Sequence, residues 1–234
     1  MTIPNGWTAE LIAHTGFDSV TLDMQHGLID YASALHMLQA IATTDTIPLV
    51  RAQWNTPSHL MQMLDAGAQG ILCPMIYTAR DAENFVAACQ YPPAGLRSFG
   101  PIRAQLYSSG DYFEKANEEI LKFAMIETKE AYENLDDITQ VKGLTGIYIG
   151  PFDLSVSLGF EEKADFNNPE FLKILERILL VASKAGIKTG IFTVNVADAK
   201  KVQAMGFDLI SCGSDTRIFS KGAGTLMQSL KESF

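Results

Sequence analysis

Four apolar runs in this chain end on side chains that can move a proton, hold a cation or grip an anion. "SVTLDMQHG" (19–27) delivers Gln25 and His26, and "IPLVRA" (47–52) delivers Arg51. "LKFAMIE" (121–127) ends on Glu127, and "GIYIGP" (146–151) is followed at once by Phe152 and Asp153. Glu127 and Asp153, with no His or Cys beside them, suit a hard divalent cation that keeps water or substrate oxygens in its other positions; zinc favours nitrogen or sulfur. Arg51 offers a fork for a substrate carboxylate and can hold negative charge developing on an enolate oxygen. His26 can transfer a proton near neutral pH. Asp65, at the end of a helical run just before Gly67, is a candidate to orient that histidine. Each residue alone also has a plain structural reading. A histidine after a strand is often a hydrogen-bonded loop residue, and a carboxylate there often caps the next helix, a task Thr128 could equally perform after Glu127. What the four ends share is their place at the end of an apolar run.

The elements that must gather them are legible as a repeat. Seven apolar runs, at 19–24, 47–52, 70–76, 121–127, 146–151, 188–194 and 208–213, are continuous rather than alternating, as in strands covered on both faces of a parallel sheet. Helical patterns fill the intervals, among them "YASALHMLQAIA", "PSHLMQMLDAG", "ARDAENFVAACQ" and "PEFLKILERILLVASKAG". The junctions "HTGFDSV", "DAGAQGI" and "AMGFDLI" each set Gly between a helix and the next strand, where a left-handed residue ends the helix. This alternation, without a break in composition, predicts one βα-repeat domain over residues 1–234. A (β/α)8 TIM barrel needs eight strands and seven are visible. Since the chain opens on a helical pattern, "PNGWTAELIAHTG", the strand that is missing or truncated is the first. A flavodoxin-like open sheet is the alternative, but it normally has fewer strands. In a barrel the C-terminal strand ends form the active face, so all four ends converge there.

Composition narrows the function further. The formal charge of −9 argues against a nucleic-acid partner, which needs clustered Lys and Arg. Three cysteines without metal-type spacing read as reduced thiols. The N-terminus has no secretory pattern, and no apolar stretch is long enough to span a bilayer, so no membrane association and a cytoplasmic location are expected. "SCGSDT" (211–216) lacks the Gly-rich cradle of a phosphate ester site. Arg97, in "YPPAGLRSFGP" (91–101), is expected at the mouth of the barrel, either in a loop-fixing ion pair or against substrate.

The blocks "LDMQH", "VRAQWN", "LDAGAQGILCPM", "YPPAGLRSFGP", "AMIETKEAYENL" and "IGPFDLSVSLG", in this order from about Pro4 onward, resemble the HpcH/HpaI aldolase family. The resemblance implies a (β/α)8 barrel of the phosphoenolpyruvate/pyruvate type and a homo-oligomer, a hexamer with exchanged C-terminal helices. It implies one divalent metal ion (Mg, Mn or Co) and, as small-molecule partners, a 2-oxo acid and an aldehyde joined or cleaved at a carbon–carbon bond. By position, Glu127 and Asp153 match the metal ligands, His26 the general base, Asp65 the carboxylate that raises its basicity, and Arg51 the stabiliser of the enolate. The backbone at Phe152 and Asp153 matches the contact with the pyruvate carboxylate. The chain departs from the commoner pattern at Gln25, where many members have Glu, and at Met125, where many have Gln. The first removes a charge next to the site and the second leaves an apolar wall against substrate. "DMQH" with "MIET" is closer to the branch that also accepts hydroxypyruvate. Two other readings stand beside the aldolase: an oxaloacetate decarboxylase or other pyruvate-enolate enzyme, and a non-catalytic metal-binding barrel subunit.

Overall fold

The continuous apolar runs become parallel strands because each has two covered faces. In the structure, a computed structural model that describes residues 1–107 and 110–233, helix α1 (Gly6–Ala13) leads into β1 (Ser19–Asp23). There follow α2 (Tyr31–Ile41), β2 (Ile47–Arg51), α3 (Pro57–Asp65), β3 (Gly70–Cys73) and α4 (Ala79–Cys89). After a 3-10 turn at Ala104–Tyr107 come α5 (Tyr112–Glu119), β4 (Leu121–Ile126), α6 (Lys129–Glu133), α7 (Leu135–Thr139) and β5 (Gly146–Ile149). The chain continues through α8 (Pro151–Ser157), α9 (Pro169–Ala185), β6 (Lys188–Thr193), α10 (Val196–Met205), β7 (Leu209–Cys212) and α11 (Asp215–Glu232). Strand order in space equals order in sequence, and every neighbouring pair is parallel, so the sheet curls into a half-barrel consistent with a TIM-like barrel.

Alternation along each strand sorts side chains into two cores. Leu49, Leu72, Phe123, Met125 and Tyr148 point to the concave side and form a small inner cluster. Their neighbours Val50, Ile71, Ala124, Ile126, Ile147 and Ile149 point outward into the large cluster that packs the sheet on its helices. Both sets are apolar, which is why the runs show no period of two. Local signals set the ends of the helices. A Thr78–Asp81 capping box opens α4, Asn168 caps α9, and Gly16, Gly67 and Gly206 take the positive φ that the helix-to-strand junctions require.

Seven strands are present among the described residues. Along the free edge of β1 run Met1 to Ile3. The Met1 ammonium donates to the Thr21 carbonyl, and Asp23 N–H donates to the Met1 carbonyl at 2.9 Å. The amides of Thr2 and Ile3 donate to the Asp215 carboxylate at the start of α11. No helix among the described residues is long and apolar enough to cross a membrane.

Candidate active site

Because every strand runs the same way, the inward residues of their last turns form one layer, and this layer carries the polar groups. Counting by twos along β1 puts Thr21 and Asp23 inside; the same count on β2 gives Leu49 and Arg51, on β4 Met125 and Glu127, and on β5 Tyr148 and Gly150. A cavity of about 480 Å³ opens at this layer, lined by Asp23, His26, Arg51, Met125, Phe152 and Asp153 among others, and extends along the gap between β1 and β7.

Asp23, to which the sequence reading gave no role, also lines this cavity. It lies opposite Arg51 in the β1–β2 register, and the two form a fork: Nε donates to Oδ1 at 2.8 Å and Nη2 to Oδ2 at 2.5 Å. Asp23 Oδ1 also accepts from the backbone N–H of Gln25 and of His26, both at 3.1 Å. One carboxylate therefore fixes the guanidinium and shapes the turn that carries the histidine. Burial alone would raise the Asp23 carboxyl, but the hydrogen bonds and charge of Arg51, with the two amides, outweigh it and hold it below the usual range. The signal that could have found it is the two-residue alternation, which turns Asp23 inward between the outward Leu22 and Met24.

Glu127 directly follows β4 and is almost fully buried, 2% exposed. Thr128, not Glu127, caps α6 by accepting from Ala131 N–H at 3.1 Å, so the glutamate is spared that task. Its Oε1 accepts from the Met75 N–H at 2.6 Å. Burial raises its carboxyl above the usual range, with the charge of Asp153 adding to the effect against the Met75 N–H and Arg51. Asp153 is exposed in the first turn of α8 and borders the cavity. Neither carboxylate has a basic partner within ion-pair distance among the described residues. Two neighbouring carboxylates, one buried and unneutralised, fit a divalent cation. No group of three or more His, Cys, Asp or Glu fit to hold a metal exists among the described residues, so water or substrate oxygens would complete the shell, as magnesium prefers.

His26 is exposed at the rim, and its imidazole has no hydrogen-bond partner among the described residues. Met125 is a buried wall of the cavity, and Phe152 lies against Phe192 with ring centroids 6.3 Å apart. Gln25 does not line the cavity; its side-chain Oε1 is buried without a partner.

Two expectations need correction. Asp65 does not orient His26 within the chain. It ends α3, and the chain then enters the N-terminal end of β3, so Asp65 lies at the opposite end of the strands from His26. There it accepts from Arg97 Nη2 at 2.7 Å. The "YPPAGLRSFGP" loop follows α4 and belongs to that same end, not to the mouth. Arg97 is buried in an ion pair with Asp65, donates to the Tyr112 hydroxyl at 3.0 Å and packs over the Tyr91 ring. Nearby Arg103 donates to the carbonyls of Ala66 and Leu38, tying the loop to the ends of α3 and α2. Trp54, three residues after Arg51, is half exposed and does not border the cavity.

A model of the HpcH/HpaI aldolase/citrate lyase family matches residues 5–222. The chain is similar to a hydroxypyruvate/pyruvate aldolase of Rhizorhabdus wittichii, 39% identical over 223 residues covering 95% of this chain and 89% of that one. It is also similar to a 4-hydroxy-2-oxo-heptane-1,7-dioate aldolase of Salmonella dublin, 38% identical over 227 residues, 96% of this chain and 86% of the relative. Among solved structures, a HpcH/HpaI aldolase/citrate lyase family protein from Burkholderia cenocepacia superposes with a TM-score of 0.90 at 28% identity, covering 99% and 92% of the two chains. The citrate synthase SbnG superposes with a TM-score of 0.86 at 30% identity, covering 99% and 91%.

Proposed function

The chain belongs to the HpcH/HpaI aldolase/citrate lyase family, and from that premise we propose that it is an aldolase of the metal-dependent, pyruvate type. Its reaction is the reversible cleavage of a 4-hydroxy-2-oxo acid to pyruvate, or hydroxypyruvate, and an aldehyde. The observation that carries this reading is that the forked Arg51 and Asp153 border one cavity, with the buried Glu127 carboxylate just behind its wall, close enough to feel the charge of both. The names of the two aldolase relatives favour it over other carbon–carbon chemistry. On this reading the fold is the (β/α)8 barrel, with Met1–Ile3 in the position of the first strand.

Glu127 and Asp153 would hold the divalent cation. When bound, such an ion supplies Lewis-acid stabilisation of the charge that develops as the carbon–carbon bond breaks. Arg51 adds to this from its own side. Its Nε and Nη2 are occupied by Asp23, while Nη1 makes no hydrogen bond among the described residues and can meet the enolate oxygen. The guanidinium is held before the charge appears, so no reorganisation is needed during the reaction. His26, at the rim, takes the proton from the C4 hydroxyl in cleavage and returns it in condensation. The N–H groups of Phe152 and Asp153, in the first turn of α8, receive the 2-oxo acid carboxylate. Met125 forms an apolar wall near the donor end.

The test is incubation with pyruvate, Mg or Mn, and a panel of aldehydes, with oxaloacetate alone in parallel. An aldol product supports the proposal. Decarboxylation of oxaloacetate without any aldol product would make the enzyme a decarboxylase, and neither activity would leave a binding barrel.

A further inference from the structure

Met75 follows β3 and is one of two non-glycine residues among those described with a left-handed backbone, φ 54°. A side chain makes this conformation unfavourable, and such outliers persist where the surroundings enforce them. Here its N–H is aimed at Glu127, donating to Oε1 at 2.6 Å. On the other side of the same carboxylate stands Gly150, at the end of β5. Its φ is −91°, open to any residue, so conformational freedom does not explain the glycine. Space does. A Cβ added there would stand 2.8 Å from Glu127 Oε2 and 2.9 Å from Glu127 Cβ. Glu127 thus has one oxygen engaged by a backbone donor and the other lying against a bare Cα.

We propose that Met75 and Gly150 are positioning residues that fix which oxygen of Glu127 faces the cation. The Met75 N–H retains Oε1 on the β3 side. Gly150 leaves room for Oε2 on the β5 side, the side on which Asp153 also lies. Oε2 is therefore the oxygen left without a protein donor, and it is the one that would face the cation. The left-handed turn is the local strain that aims the amide; Met75 does not border the cavity, and Gly150 meets it only with its backbone. This inference rests on the proposed metal site and adds the device that orients it.

The probe is Mn²⁺ titrated into EDTA-stripped full-length protein, with free Mn²⁺ followed by electron paramagnetic resonance. Folding is checked by circular dichroism. Removing the Met75 N–H without altering its side chain is done by suppression with the α-hydroxy acid of methionine, which makes an ester at that bond. Partners that orient a metal ligand are typically worth about 10- to 100-fold in affinity. The ester and Gly150→Ala should each weaken Mn²⁺ binding within that range. Met75→Gly keeps the N–H and relieves the left-handed strain, so it should bind Mn²⁺ as wild type does and melt at a higher temperature. If the folded ester or Gly150→Ala protein binds as tightly as wild type, or if Met75→Gly loses affinity, the proposal is overturned. Should the ester chain not fold, Gly150→Ala and Met75→Gly decide. Failure of the underlying site looks different: wild type itself would then take up no Mn²⁺ that Glu127→Gln abolishes.

Discussion

Replacing Asp23 with Asn should damage stability and catalysis together. The substitution keeps the size of the side chain and one acceptor oxygen, so the amides of Gln25 and His26, with Arg51 Nε, retain a partner. What is lost is the charge and the second arm of the fork, the 2.5 Å contact from Nη2 to Oδ2. The arginine and aspartate side chains are only 22% and 11% exposed, so water cannot fully replace the missing partner. A hydrogen bond between charged groups contributes about 1.5–3 kcal/mol, and about 2 kcal/mol suits this partly screened pair. For a chain of this size that is a fall in Tm of roughly 4–8 °C. The loss should depend on pH with a definite sign. The folded Asp23 carboxyl is held below its unfolded value of about 3.9, so its stabilisation is complete above that pH. It then fades as pH falls through the folded value. The Tm gap between wild type and Asp23→Asn, measured by circular dichroism, should therefore be full at pH 6–7 (about 2–3 units above the unfolded carboxyl) and shrink in acid. The kcat for retro-aldol cleavage should fall about 100-fold, the order of losing one preorganised donor to an oxyanion, because Arg51 is no longer held. A variant that melts with wild type at every pH and keeps its kcat would refute the reasoning.

The other predictions follow from the same geometry. His26→Ala should lower aldol cleavage about 10²–10⁴-fold, the usual worth of a positioned base, yet reduce oxaloacetate decarboxylation much less, since that reaction removes no hydroxyl proton. An equal fall in both, read from pyruvate release, would make His26 structural. Asp65→Asn leaves the buried Arg97 without its counter-charge and should cost about 3 kcal/mol, a Tm drop of roughly 6–12 °C, with the pH–rate profile unmoved. An intact Tm with a shifted profile would mean instead that Asp65 serves His26 of a second copy. Helix α11 buries only Asp215 and exposes Ile218, Phe219, Leu226, Met227 and Leu230, so light scattering at low micromolar concentration should find an oligomer rather than a monomer.

Most of the scaffold was legible because its signals are local. All seven strands were readable as continuous apolar runs, and α9 as an amphipathic stretch with Asn168 before it and Gly186 after it. The short helices α6, α7 and α8 were not, since five to seven residues are too few to show a period. Helix α11 also escaped, because it packs little against its own chain and carries Gly222 and Gly224. For the candidate site, the strand-end rule singled out Arg51, Glu127 and Asp153, which lie at one end of the sheet, but gave no role to Asp23, whose inward position is masked by the apolar run around it. Asp65 and the Arg97 loop were placed at the wrong end of the strands for a topological reason, although the loop-fixing ion pair expected of Arg97 is present. A residue at the end of a helix lies beside the start of the next strand, a full strand length from the catalytic face. The contact between Met75 and Glu127 joins a backbone donor to a carboxylate 52 positions away, and no local pattern announces it.

The most direct test of the central claim, that Glu127, Asp153 and Arg51 together stabilise a pyruvate enolate, is proton exchange at the methyl group of pyruvate. The protein is incubated in D₂O with pyruvate and Mn²⁺ or Mg²⁺, and the loss of the methyl signal is followed by NMR. The account predicts exchange that stops with EDTA, returns when metal is restored, and is absent from Glu127→Gln and strongly reduced in Asp23→Asn. A metal-loaded, folded wild-type protein that leaves the methyl protons in place, or a Glu127→Gln variant that exchanges them at the wild-type rate, would contradict it.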